Sequence, residues 1–313
     1  NLLPKYGFIQ SRFSYILISL ISFIPLLILL KKEKPNYIIV HLITSLPILL
    51  FNLFSFNTKL ILRISGYPKL NFTRNFLWKF CSKKIHIVTC PSKELSEQLN
   101  NSKIFDEKKI IVLYDSVINI QEVNNKKKIP LEKSLSKIKY FLAIGRLTKQ
   151  KNFNLLIDGF NEFNKENKKY KLLIIGEGED RDKLKKKIDK LKLNNQINLL
   201  GFKDNIYKYL KNSQAFILSS LWEEMGFVII EAASCNTTII SSACPNGPTE
   251  FLNKGDGGYL FKNNSIKDLV KKMKKFDSDN EITKYNKILS TKKNVKNFTI
   301  FNHYKVLNTI LNY

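Results

Sequence analysis

The sequence predicts an α/β chain of two doubly wound, Rossmann-like parallel-sheet domains. Three observations carry that prediction. Short apolar runs ending at or near glycine alternate with stretches whose apolar residues recur at helical spacing, the pattern of βαβ units and of a sheet covered on both faces. The 313 residues are too many for one ordinary domain and suit two. Hydrophobic residues make up 44%, so each half can bury its own core.

Taken in order, residues 13–30 are uncharged, with Arg12 before them and Lys31 and Lys32 after, and residues 35–58 are uncharged as well. Either is long enough to be a transmembrane candidate. The first, however, carries Ser14, Ser19, Ser22 and a central Pro25, and the second holds Asn36, His41, Asn52 and Asn57. They read better as a buried or membrane-resting helix, then a strand at 37–41 and an apolar helix at 45–56. Further strands are expected at 59–64, 85–89 and 110–113, with helices around 72–81 and 92–100. Ser92 suits an N-cap, with Glu94 and Leu95 just after it. The polar stretch 121–128 reads as a linker. There is no signal-peptide layout. The chain opens in mid-domain, as though a leading βαβ unit of roughly 30 residues or more were missing.

From residue 137 the alternation is regular. Strands are expected at 140–144, 171–175, 197–200, 215–218, 237–240 and 258–261. The intervening helices include one with Leu155, Leu156, Phe160 and Phe163 at helical spacing, one opening at Gly226, and one that Ser265 caps. Phe298, Phe301, Tyr304, Leu307 and Leu311 recur at three and four residues near the end, which predicts a terminal amphipathic helix. The expected organisation is a domain over 1–125, a linker over 126–136, a domain over 137–293 and a terminal helix over 294–313.

The net charge is +26, but only five of the 52 basic residues are Arg: Arg12, Arg63, Arg74, Arg146 and Arg181. Specific nucleic-acid readers lean on Arg for bidentate base contacts, so no nucleic-acid partner is expected. Lys spread along the chain is compatible with an anionic membrane surface. Cys81, Cys90, Cys235 and Cys244 form no C-x-x-C pair, and the three His add no zinc spacing. Reduced structural thiols are expected, with no metal and no cofactor.

Chemistry concentrates in three places, each at a strand end where open α/β sheets bind ligands. Gly145-Arg146-Leu147-Thr148-Lys149-Gln150-Lys151 joins a strand to a helix start, so Arg146, Lys151 and the helix N-terminus can cradle a diphosphate. Lys151 by itself carries no weight in so Lys-rich a chain; Arg146 carries more. Gly176-Glu177-Gly178 permits close backbone approach to a ligand, or marks a tight turn. In Leu221–Ala233, Glu223 and Glu231 stand eight apart, the first on a strand-end loop and the second in the helix that follows. Glu231 has Val228, Ile229, Ile230 and Ala232 as neighbours. A carboxylate so placed needs donors, and vicinal sugar hydroxyls would supply them.

In sequence order, these elements resemble family 4 glycosyltransferases. Gly145 to Lys151 is similar to their Gly-Arg-x4-Lys element, Glu223 to Glu231 to their Glu-x7-Glu element, and Pro245-Asn246-Gly247-Pro248-x-Glu250 to the glycine-rich turn that follows. The resemblance is strong over residues 138–262. It implies a GT-B fold, with two Rossmann-like domains facing a cleft, and a retaining, metal-independent transfer from a UDP- or GDP-linked sugar. It also implies a cytoplasmic enzyme, peripheral at the inner face of the plasma membrane, that builds surface polysaccharide or lipopolysaccharide on a glycan or lipid-linked acceptor. Carried over, Arg146 and Lys151 bind the diphosphate and stabilise it as it leaves, while Glu231 holds the ribose hydroxyls. Glu223, Gly226, Phe227 and Val228 face the donor, and Gly176, Gly178 and Phe202 flank the base. Two positions depart from the pattern. Glu224 and Met225 stand where the family has Gly and an aromatic. Ser65, after Leu62-Arg63-Ile64, stands where many members have a His in the N-terminal domain. His41, on a neighbouring strand, is either a cleft residue or a core histidine, and Arg63 is a candidate acceptor or phosphate contact. Two alternatives stand beside the transferase: a sugar-nucleotide epimerase on the same fold, and a non-catalytic nucleotide- or membrane-binding remnant.

Overall fold

The computed structural model describes residues 8–41, 44–68, 72–166 and 168–312. These form two compact units, one of residues 1–113 with 307–313 and one of residues 114–306.

The first unit runs α1 (Phe8–Lys32), β1 (Tyr37–His41), α2 (Ser45–Leu53), β2 (Lys59–Arg63), α3 (Phe72–Cys81), β3 (Ile85–Cys90), α4 (Lys93–Asn101) and β4 (Ile110–Val112). Its strands pair in parallel in the order β1-β2-β3-β4. Alternate residues of β2, Leu60 and Leu62, join Trp78 and Cys81 of α3 and Leu95 and Leu99 of α4 in one buried cluster, as the period of two along a strand requires. Ser92 caps α4 by accepting from the Leu95 amide at 3.1 Å, as its position predicted. Leu30 of α1 is buried in the same cluster with Leu26 packed against it, so α1 lies on the unit's core. Among the described residues no helix is long and apolar enough to cross a membrane.

The second unit runs α5 (Ile120–Lys126), β5 (Lys139–Ile144), α6 (Phe153–Glu166), β6 (Tyr170–Ile175), α7 (Arg181–Lys190), β7 (Ile197–Leu199), α8 (Tyr207–Asn212), β8 (Ala215–Leu218), α9 (Phe227–Ser234), β9 (Ile239–Ser242), α10 (Pro248–Phe251), β10 (Tyr259–Phe261), α11 (Ile266–Ser278) and α12 (Glu281–Val295). A last helix, α13 (Ile300–Leu311), begins in this unit, and its final residues group with the first. The Tyr37 hydroxyl donates to the Leu311 carbonyl. All pairings in the six-stranded sheet are parallel, in the order β10-β9-β8-β5-β6-β7. Central β5 shows why both faces are covered. Phe141 and Ala143 enter one cluster with α6 and α11, while Tyr140, Leu142 and Ile144 enter the other with α8 and α9.

Two features differ from the sequence expectation. The first unit ends at Leu113 rather than at 125, and 121–128 is largely helical rather than a linker. The cause is Val123, buried in the second unit's core, with the Asn205 amide donating to the Lys126 carbonyl and an isolated bridge pairing Ile118 with Thr299. A polar sequence hides a helix anchored by one apolar residue and capped by Asn119. The second feature is α12, which no periodicity announced. Its apolar residues are few, and only Thr291 and Val295 are buried.

Candidate active site

Strand order fixes where the second unit can bind a ligand. From β5 the chain steps outward to β6 and β7, then returns to the other side of β5 as β8. The chain therefore leaves β5 and β8 in opposite directions along the sheet, which makes the carboxyl ends of these adjacent strands a topological switch point, where open α/β sheets bind ligands. The sequence puts Gly145 to Lys151 after β5 and Leu221 to Gly226 after β8.

The two loops are tied to each other. Lys151 Nζ meets Glu223 Oε1 at 2.5 Å, with the lysine side chain 15% and the carboxylate side chain 7% exposed. Ser220 Oγ donates to the same carboxylate oxygen at 2.5 Å. The Leu221 amide donates to the Gln150 carbonyl, and the Gln150 side-chain amide to the Trp222 carbonyl, at 2.8 and 2.9 Å. Ser219 Oγ donates to the Lys151 carbonyl at 2.7 Å, and Ser242 Oγ to the Ser220 carbonyl at 2.7 Å. Sequence reasoning missed Gln150, Ser219, Ser220 and Ser242. The only signal was the run of small hydroxyl residues at the ends of β8 and β9. A cation held in place by a buried carboxylate loses little freedom when an anion arrives. Arg146, by contrast, is exposed, while Leu147 beside it is fully buried and anchors the loop.

Glycines explain how the loops come so close. Lys151 lies across Gly145, whose added Cβ would stand 3.2–3.3 Å from three of its side-chain carbons. A Cβ on Gly176 would stand 1.9 Å from the Gly145 carbonyl oxygen, and one on Gly178 2.4 Å from the Leu147 carbonyl oxygen. The Leu147 amide donates to the Glu177 carbonyl, and the Asp180 amide to that of Leu147, both at 2.9 Å. Gly176 and Gly178 thus let the β6 loop press against the β5 loop.

Glu231 lies on α9, whose buried residues include Ile229, Ile230, Ala232 and Ala233. Burial pushes its carboxyl up to about 7, and the Tyr207 hydroxyl, donating at 3.5 Å, and the Lys126 charge counter only part of that. Tyr207 went unrecognised in the sequence as a partner. Gly226 opens α9 at φ 71° and is buried, and Phe227, next to it, is 47% exposed. Val228 is half-buried. Met225 is buried, and Gly247 packs on it so closely that a Cβ there would lie 2.7 Å from the Met225 Cα. Glu224 is exposed. Phe202, 71% exposed, follows Gly201 at the carboxyl end of β7.

In the first unit, His41 ends β1 and is exposed rather than in the core, and its Nε2 lies 2.6 Å from Ser65 Oγ. Arg63 is buried, and its Nη1 donates to the Leu113 carbonyl at 2.6 Å. That bond ties the end of β2 to the segment that follows β4.

The model of the glycosyl transferases group 1 family matches residues 124–295. The chain belongs to that family. A glycosyltransferase of Methanocaldococcus jannaschii is 32% identical over 244 residues, covering 72% of this chain and 59% of the relative, so the chain spans less than two thirds of that relative's length. The Campylobacter jejuni N-acetylgalactosamine-N,N'-diacetylbacillosaminyl-diphospho-undecaprenol 4-alpha-N-acetylgalactosaminyltransferase is 27% identical over 260 residues, 80% of this chain and 67% of that one. Among solved structures, Anabaena HepE in complex with UDP superposes with a TM-score of 0.77 at 14% identity, over 96% of this chain and 82% of that chain. Two parallel-sheet units and these neighbours make the fold GT-B.

Proposed function

We propose that this chain is a retaining, metal-independent family 4 glycosyltransferase. It moves a hexosyl-type sugar from a nucleoside-diphosphate donor to a glycan or lipid-linked acceptor at the cytoplasmic face of a membrane. The observation that carries this most is the Lys151–Glu223 pair, which joins the two loops of the switch point. In the proposed site, Lys151 and Arg146 face the donor diphosphate. As the bond from the anomeric carbon to the diphosphate oxygen breaks, negative charge grows on that oxygen, and these two cations offset it where a divalent ion would otherwise serve. Glu223 orients Lys151 and borders the donor sugar beside Gly226, Phe227 and Val228. Glu231 accepts from the ribose hydroxyls, and Gly176, Gly178 and Phe202 flank the base.

Two relatives guide the choice of ligands. HepE is described in complex with UDP, which makes uridine the first base to test and guanosine the second. The Campylobacter relative is named for a diphospho-undecaprenol acceptor, which supports a lipid-linked glycan acceptor here and a place in surface polysaccharide or lipopolysaccharide synthesis.

Thermal stabilisation by nucleotides in the presence of chelator tests the donor site. A ligand at about 100 times its dissociation constant should add about 2.7 kcal/mol. UDP or GDP should stabilise the wild type, and Arg146→Ala and Glu231→Ala should abolish the response. A wild type that no diphosphonucleotide stabilises would sink the donor assignment.

A further inference from the structure

Helix α3 has apolar residues on two opposite faces, and the core accounts for only one of them. Trp78 and Cys81 point inward at 3% and 1% exposure. Phe72, Phe76 and Phe80, four residues apart and so on one helical stripe, point outward at 87%, 67% and 69% exposure. Phe76 and Phe80 stack on each other, with ring centroids 6.3 Å apart and planes at 8°. Helices at a protein–water surface put polar residues on the outer face, and clustered exposed aromatics mark a surface that meets another apolar phase. Neighbouring α2, which packs on α3, adds Leu53 at 60% exposure.

Charge decides what that phase is. Residues 1–92 hold twelve Lys and Arg and a single acidic residue, Glu33. Lys79, within the stripe, and Lys83 and Lys84, just beyond it, are all exposed. Phenylalanines between lysines suit a helix lying in the headgroup region of an anionic bilayer, the rings among the acyl chains and the ammonium groups among the lipid phosphates. The geometry points to α3 as a membrane-docking helix that seats the first unit on anionic lipid through Phe72, Phe76 and Phe80. This deepens the proposed membrane-face function and rests on it only for the acceptor.

The test is co-sedimentation of the full chain with vesicles of phosphatidylcholine alone or with 30% phosphatidylglycerol. Wild type should bind the anionic vesicles at least tenfold more tightly than the neutral ones. The Phe76→Glu/Phe80→Glu variant should lose at least tenfold on anionic vesicles while keeping its far-UV circular dichroism and its stabilisation by UDP. Lys83→Glu/Lys84→Glu should lose most of the preference for anionic lipid. Anionic-vesicle binding by the Phe variant equal to wild type would overturn the inference. So would a wild type that ignores vesicles but turns from dimer to monomer with the same substitutions, which would make the stripe a contact between copies. Vesicle binding that needs the Phe residues in a chain that UDP fails to stabilise would uphold the docking helix and count against the donor site alone.

Discussion

Glu231 is the residue where stability and binding pull in opposite directions. Burial holds its carboxyl at about 7, against 4.5 for the ordinary group. The folded chain therefore binds more protons than the unfolded one between those values, and stability falls as pH rises through that window, levelling off above it. The difference corresponds to about 3 kcal/mol. Glu231→Gln keeps an acceptor for Tyr207 and removes the charge, so at pH 8 it should raise the melting temperature by several degrees and flatten the decline from pH 5 to 8. It should also weaken nucleotide binding at least tenfold, and wild-type affinity should rise with pH through 7, since hydroxyl donors favour the carboxylate. Scanning fluorimetry and calorimetry at pH 5, 7 and 8 check both, and a pH-independent melting difference would refute the buried carboxylate. Lys151 supplies a second prediction. Lys151→Met leaves Glu223 buried with the Ser220 hydroxyl still donating to it and should cost about 3 kcal/mol. Adding Glu223→Gln should restore at least half of that in urea titrations. Neither partnership was legible in the sequence. The motifs marked Lys151 and Glu223 as separate site residues, but 72 positions part them, and only the sheet order brings them together. Glu231 could be seen as a carboxylate in apolar company, yet Tyr207 lies on another element and no spacing points to it.

Loops and helices were legible in proportion to their periodicity. The strands of the second unit stand within a residue or two of expectation, because runs such as Tyr140 to Ile144 are apolar throughout and parallel strands are buried on both faces. The helices α5 and α12 escaped because each is anchored by few apolar side chains, too few for a stripe to stand out. From sequence, Gly-x-Gly after β6 fits either a close approach to ligand or a tight turn. The structure supplies a third cause, the contact between two loops. Gly178→Ala would drive a methyl group to 2.4 Å from the Leu147 carbonyl oxygen, a backbone atom that cannot step aside without moving the β5 loop. The expected cost is about 1–3 kcal/mol, together with at least a tenfold loss of nucleotide affinity, because Arg146 and Lys151 ride on that loop. Gly255→Ala, with 3.9 Å of clearance beside the Leu260 side chain, bears the strain of its φ of 112° but touches no site loop. It should lower the melting temperature and leave affinity unchanged. Equal effects of the two substitutions on affinity would show that the loop contact does not set the site.

At the scale of the whole molecule, the residues proposed for the donor all belong to residues 114–306, while the exposed aromatic stripe and the His41–Ser65 pair belong to the other unit. The second unit has its own six-stranded sheet with a buried cluster on each face. A ligand that binds only there stabilises that unit and lends stability to the other only as far as the two unfold together. Hydrogen exchange separates these cases. Saturating UDP should slow exchange in segments 145–156 and 219–234, which carry the two site loops and the starts of α6 and α9. It should leave the amides of α3 and β2 unchanged. Anionic vesicles should do the converse, slowing α3 and sparing the site loops. UDP protection of α3 as strong as that of 219–234 would mean that the units open as one, and nucleotide would then tighten membrane docking by the same factor by which lipid tightens nucleotide. Protection confined as predicted would mean that donor and membrane are bound by separate halves of one chain, each opening on its own.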